Sequence, residues 1–222
     1  MDVIANWKEL LEGIPSGIKI VAVSKTKPIE LIKDLHSAGQ VDFGENKVQD
    51  LIEKKERLPS SLKWHMIGHL QSNKVKYIAP FVNLVHSVDS LKLLKMIDKE
   101  GQKNDRRIDC LLQVHIARES SKYGLTRVQL DQLLKELTLL ELNNISIKGL
   151  MGMATFTDDR NQIREEFQNL RIIFEDLNRG FFSDQNDFRE LSMGMSQDYK
   201  IAIDEGSTML RIGSIIFGPR NY

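Results

Sequence analysis

At 222 residues the chain is long enough for one sizeable core and short for two. Hydrophobic residues at 41% and charged residues at 28% are ordinary for a globular domain and exclude disordered and collagen-like classes. Lys plus Arg and Asp plus Glu each number 31, so no global field draws the chain to nucleic acid or an anionic membrane. Any anion site must be local.

The start, Met1 to Lys8, lacks a basic region followed by a long apolar run, and no later stretch reaches membrane-spanning length. Neither secretion nor membrane insertion is expected; a cytoplasmic location is. Short apolar runs rich in β-branched residues then recur along the chain. There are eight: Ile18 to Val23, Val41 to Phe43, Trp64 to Ile67, Leu84 to Val88, Ile108 to Ile116, Ile145 to Leu150, Arg189 to Ser192 and Met209 to Ile212. The second and seventh are the weakest. Several are continuously apolar, as parallel strands buried on both faces must be.

Helical spacing fills the intervals. Pro28 suits a first helical turn, and Glu53 to Arg57 reads as a solvated helix face. Leu91, Leu94 and Ile97 form a stripe after the capping residue Ser90, and Leu130, Leu133, Leu134 and Leu137 form another after Thr126. The clearest helix is 162–178, with Ile163, Phe167, Leu170, Phe174 and Leu177 along one face. The single cysteine, Cys110, lies in an apolar run, which excludes an internal disulfide and suits a reducing compartment. No linker or repeat interrupts the series. Regular alternation with eight strands predicts an α/β fold, a single-domain (β/α)8 TIM-type barrel over 1–222, with an open doubly wound sheet as the alternative.

In such a barrel the reactive groups follow the strands. That rule selects Ser24, Lys25, Thr26 and Lys27 after the first run, Gly44, Glu45 and Asn46 after the second, and Gly68 and His69 after the third. After the last two come Met193-Gly194-Met195-Ser196 and Gly213-Ser214. A lysine in a desolvated site loses part of its preference for charge and becomes able to attack a carbonyl. On local sequence alone, Lys25 and Lys27 fit a surface loop better. Small residues and hydroxyls after the seventh and eighth strands shift that balance, because barrels often bind phosphate there. Arg211 could meet a ring or an anion at the mouth, or form an ordinary salt bridge. Glu45 could line the same mouth, or simply complement the start of a helix.

None of the five histidines, His36, His65, His69, His86 and His115, forms a helical metal-ligand pair, so no metal is expected. Nucleophile-elbow, phosphate-loop and dinucleotide fingerprints are also missing, which removes the main support for hydrolase, nucleotidase and dehydrogenase readings.

The ordered segments Ala22 to Pro28, Phe43-Gly44-Glu45-Asn46, Trp64 to Lys74, Gly149-Leu150-Met151, Ser192 to Asp198 and Leu210 to Gly218 resemble the pyridoxal phosphate homeostasis protein family. These small cofactor-binding proteins are similar to the barrel domain of bacterial alanine racemase, and the resemblance runs from about Trp7 to Gly218. It implies that Lys25 forms an internal aldimine with pyridoxal 5′-phosphate (PLP), that Ser196, Gly213 and Ser214 hold the phosphate, and that Arg211 faces the pyridine nitrogen. Asn46 and Met151 would be pocket residues. An arginine cannot readily give the ring a proton, which limits carbanion chemistry.

Two departures stand out. His115, on the fifth predicted strand, stands where the family pattern often has Asn. The chain ends at Tyr222, leaving no room for the C-terminal β-domain that supplies alanine racemase with a catalytic tyrosine. The expected function is a non-catalytic carrier that stores PLP and delivers it to PLP-requiring apo-enzymes, acting as a monomer in vitamin B6 homeostasis. An amino-acid racemase is the alternative; it needs a second base on the opposite face, for which sequence can only nominate Tyr199 or His69. A barrel without cofactor would leave the lysine and the phosphate-type loops unexplained.

Overall fold

Among the described residues, 2–119 and 122–219, eight parallel strands close a barrel in chain order, the last pairing with the first. In the computed structural model they are β1 (Lys19–Val23), β2 (Asp42–Glu45), β3 (Lys63–Met66), β4 (Leu84–Val88), β5 (Ile108–Gln113), β6 (Ile145–Met151), β7 (Glu190–Ser192) and β8 (Met209–Ile212). The helices are α1 (Val3–Glu12), α2 (Ile29–Ser37), α3 (Val48–Arg57), α4 (Val75–Ile78), α5 (Leu91–Lys103), α6 (Arg127–Leu137), α7 (Arg160–Arg179), α8 (Tyr199–Asp204) and α9 (Ser214–Phe217). All eight expected strands are present, and closure removes the open-sheet alternative. Tyr222, the last residue of the sequence, lies outside the described residues.

Five of the strands divide their apolar side chains between two cores. Ile20 and Ala22 of β1 join the large cluster shared with the helices, whereas Val21 packs with Leu84, Leu111, Met151 and Met209 in a smaller one drawn from five strands. Burial on both faces is why these runs are continuously apolar. On α7, Ile163, Phe167, Leu170, Ile173 and Leu177 are buried, each contributing roughly 1.5–3 kcal/mol. Ile173 takes the buried place there, and Phe174 is only partly covered. Ser90 accepts from the Leu93 amide, and Thr126 forms a full capping box with Gln129. Pro28 sits one residue before α2, extended at ψ 152°, rather than inside its first turn. Cys110 is fully buried, and burial pushes its thiol far up.

At Gly149 the backbone admits no side chain. Gly149 has φ +152°, and a Cβ there would collide with the Glu190 carbonyl oxygen. It follows the point where β6 spends an extra residue against β5, so the bulge brings β6 hard against β7.

Candidate functional site

β1 ends at Val23, and Ser24 to Lys27 form a turn closed by the Lys27 amide donating to Ser24 O at 3.0 Å. Thr26, the third residue of the turn, has φ +64°, as a type II geometry requires. A threonine held there costs of order 1–3 kcal/mol, a strain typical of functional sites. Lys25 is half-buried at the C-terminal mouth of the barrel. Lys27 is occupied elsewhere, its ammonium donating to the carbonyls of Phe217, Gly218 and Pro219 at 2.9, 3.2 and 2.8 Å.

The two loops expected to hold an anion meet. Ser196 Oγ accepts from the amides of Gly213 and Ile215 at 3.3 and 3.4 Å, while Ser214 stands exposed at the start of α9. A Cβ on Gly213 would lie 3.5 Å from Val23, so this cradle adjoins the end of β1, and Ala22 is level with Ile212 in the sheet. Arg211 is buried between them. It donates from Nη1 to Ser192 Oγ at 2.7 Å and from Nη2 to Gly152 O at 2.9 Å. Burial lowers its pKa to about 10, against the pull of Asp198, and leaves it charged at neutral pH. Asp198 accepts from the Met195 amide at 2.5 Å and anchors the loop carrying Ser196.

Asn46 is half-buried just past β2, where its backbone runs so close to Gly68 that a Cβ on Gly68 would collide with Asn46 O. Met151 is fully buried in the inner cluster at the end of β6. His115 lies beyond β5, which ends at Gln113, and not on the strand as expected. Its Nε2 lies 3.0 Å from Glu119 O, so it braces the loop after β5. His69 stacks on Tyr123 with ring centroids 4.5 Å apart and pairs with Asp89 at 3.3 Å. Tyr199 opens α8, its ring under the Lys200 ammonium at 5.9 Å. Among the described residues no group of three or more His, Cys, Asp or Glu could hold a metal ion.

Sequence reasoning missed a buried cluster directly beneath Lys25. Glu45 is the last residue of β2, fully buried, and does not start a helix. Its Oε1 accepts from Ser24 Oγ and from Lys54 Nζ, both at 2.6 Å, and Lys54 also donates to Ser24 O at 2.7 Å. Lys54 is buried rather than part of a solvated face. Burial pushes the Glu45 carboxyl up, opposed by the charge and hydrogen bond of Lys54. The available signal was periodicity: Leu51, Lys54 and Leu58 fall three and four positions apart, so the lysine occupies the core stripe of α3.

Comparison with known proteins identifies the family and the fold. The family model "Alanine racemase, N-terminal domain" matches residues 2–221. The pyridoxal phosphate homeostasis protein of Aquifex aeolicus is 39% identical over 205 residues, covering 92% of this chain and 88% of its own. That of Bos taurus is 38% identical over 214 residues, covering 92% and 78%. PipY of Synechococcus elongatus, solved with PLP bound, superposes with a TM-score of 0.88 at 32% identity, covering 98% of this chain and all of PipY. Alanine racemase from Bartonella henselae shares the fold, with a TM-score of 0.72 at 16% identity over 98% of this chain and 58% of the racemase.

Proposed function

This chain belongs to the pyridoxal phosphate homeostasis protein family, and from that premise we propose that it binds PLP at the barrel mouth, attaches it reversibly through Lys25 and hands it to PLP-requiring enzymes. The observation that carries this reading is the meeting of Ser196, Gly213 and Ile215 beside the end of β1. Amides and hydroxyls there suit a phosphate dianion, the amine of Lys25 suits an aldehyde, and the buried Arg211 cation suits a ring nitrogen that accepts but need not be protonated. When bound, PLP supplies the electrophilic aldehyde and the electron-withdrawing ring. Asn46 and Met151 complete the pocket walls in this assignment.

The carrier reading is favoured over racemisation because exchange on two faces needs a second positioned base. His69 is engaged by Asp89 and Tyr123, and Tyr199 sits under Lys200. Mixing loaded protein with a PLP-requiring apo-enzyme should restore that enzyme's activity while the carrier loses its visible absorbance. Turnover of D- or L-alanine by contaminant-free protein, abolished in Lys25→Ala, would replace the carrier with a racemase.

The phosphate assignment has its own test. Ser196→Ala combined with Ser214→Ala should weaken PLP retention by about 100-fold or more, since two charge-assisted hydrogen bonds of about 1.5–3 kcal/mol each are removed. Equilibrium dialysis reads the change. Unchanged retention would leave the phosphate to backbone amides alone.

A further inference from the structure

From Arg211 the barrel interior is crossed by an unbroken line of polar side chains that runs from β7 across to β4 and on through β3 to β2. Arg211 Nη1 donates to Ser192 Oγ at 2.7 Å, and Ser192 Oγ lies 3.0 Å from His86 Nδ1. His86 Nε2 lies 2.9 Å from His65 Nδ1, and His65 Nε2 lies 2.9 Å from Asp42 Oδ1. Ser192, His86 and His65 are almost wholly buried, so solvent cannot stand in for a lost partner.

The ends of this line dictate its direction. A guanidinium only donates and an ionised carboxylate only accepts. With both imidazoles neutral, every contact is satisfied in one arrangement alone: Arg211 to Ser192, Ser192 to His86, His86 to His65, and His65 to Asp42. Both rings must then carry their proton on Nε2. The Ser192 hydroxyl proton points at His86 and turns its lone pairs toward Arg211. A proton added at His86 Nδ1 would reverse its link to Ser192 while Nε2 went on donating to His65, and a second positive charge would stand in line with the guanidinium.

We propose that His65, His86 and Ser192 are positioning residues: with Asp42 they form a one-way relay that orients Arg211 toward the cofactor ring and keeps further positive charge from it. This inference rests on the PLP assignment above. Burial holds the His86 pKa well below 6.5, with His65, Arg211 and Lys19 adding to the effect, so the neutral relay is the form present at neutral pH. Burial pulls Asp42 upward, but His65, Lys19 and Lys63 outweigh it and keep its carboxyl below the ordinary 3.8. The remaining charges around the line are Asp198 near Arg211, Glu190 paired with Lys19 at 3.6 Å, and Lys148 beside Asp109 at 3.6 Å. In the unfolded chain His86 takes up a proton as pH falls through 6.5, whereas in the folded chain it does so only at lower pH. The unfolded state therefore binds more protons across that interval, so stability declines as pH drops through it, and the relay order is lost only at the lower pH where folded His86 protonates.

Nitrogen-15 NMR of the unloaded protein at pH 7.5 tests the direction, and both imidazoles should be Nε2–H tautomers; a protonated Nδ1 on His86 would overturn it. The loaded protein tests the purpose. Ser192→Ala should shift the visible PLP band, move its pH profile and weaken retention about tenfold, the weight of roughly one charge-assisted hydrogen bond. Ser192→Thr, which keeps the hydroxyl, should restore most of each property. Wild-type loading with an unaltered band and retention in Ser192→Ala would overturn the relay while leaving the PLP assignment intact. Failure of the wild type to take up PLP would overturn the assignment and the relay's purpose together, whatever the tautomers.

Discussion

Lys25→Ala is expected to fold, to stay colourless after incubation with PLP, and to retain the cofactor more than about 100-fold less tightly, a loss of at least about 2.7 kcal/mol. Several contacts remain in the variant, including the Ser196 and Gly213 cradle, so weak binding should persist. What disappears is the covalent link, because no other side chain at the end of β1 offers an amine: the neighbouring Lys27 is committed to the carbonyls of residues 217–219. Lys25→Arg sharpens the test, since it keeps positive charge without a nucleophilic amine. Borohydride treatment followed by peptide mass analysis should place a pyridoxyl group on Lys25 of the wild type and on neither variant. A pyridoxyl group on Lys27 or Lys122, or a yellow Lys25→Arg protein, would sink the assignment.

The second large effect is on stability. Lys54→Ala should cost about 3–5 kcal/mol, because it strands the Glu45 carboxylate in an interior that offers it only the Ser24 hydroxyl. Urea unfolding should show the midpoint falling sharply with little change in slope. The pair itself is not the source of the stability, and Glu45→Gln with Lys54→Met should recover much of the loss by removing both charges. A cost below about 1 kcal/mol for Lys54→Ala would mean that Glu45 takes up a proton or finds water instead. Since Lys54 also holds the Ser24 carbonyl, the single variant should load PLP poorly even where it remains folded.

Strands and helices were legible because periodicity reports burial, and burial is what built the barrel. Even the weak runs at Val41 to Phe43 and Arg189 to Ser192 correspond to β2 and β7. Boundaries were less legible: the run through Ile116 continues past the end of β5 because Val114 and Ile116 are buried in the outer core without being strand. Of the proposed site residues, Lys25, Ser196 and Gly213 were nominated by one positional rule about strand ends, whereas Arg211 lies within β8 and was nominated only by its nearness to Gly213. Polar groups that face inward did not. His65 and His86 were weighed only as metal ligands, and Lys54 only as part of a charge run. Each stands at a position where the local period demands a buried residue, and a polar residue there is itself a signal of a hydrogen-bonded interior.

The cradle beside Val23 is also one of the last features of the fold that can form. It joins the loop after β7 to the segment after β8 and lies against the end of β1, nearly the full chain away, and α1 reinforces the seam through Asn6 Nδ2 donating to Ile216 O at 3.1 Å. Such contacts carry the largest loop-closure cost and form late. During synthesis Lys25 emerges early, yet the contacts of Ser196 with Gly213 and Ile215 cannot reach it until the last strand docks against the first. On the proposed assignment the seam would act as a completion check, since a truncated or stalled chain would present Lys25 with nothing to hold the phosphate end of the cofactor.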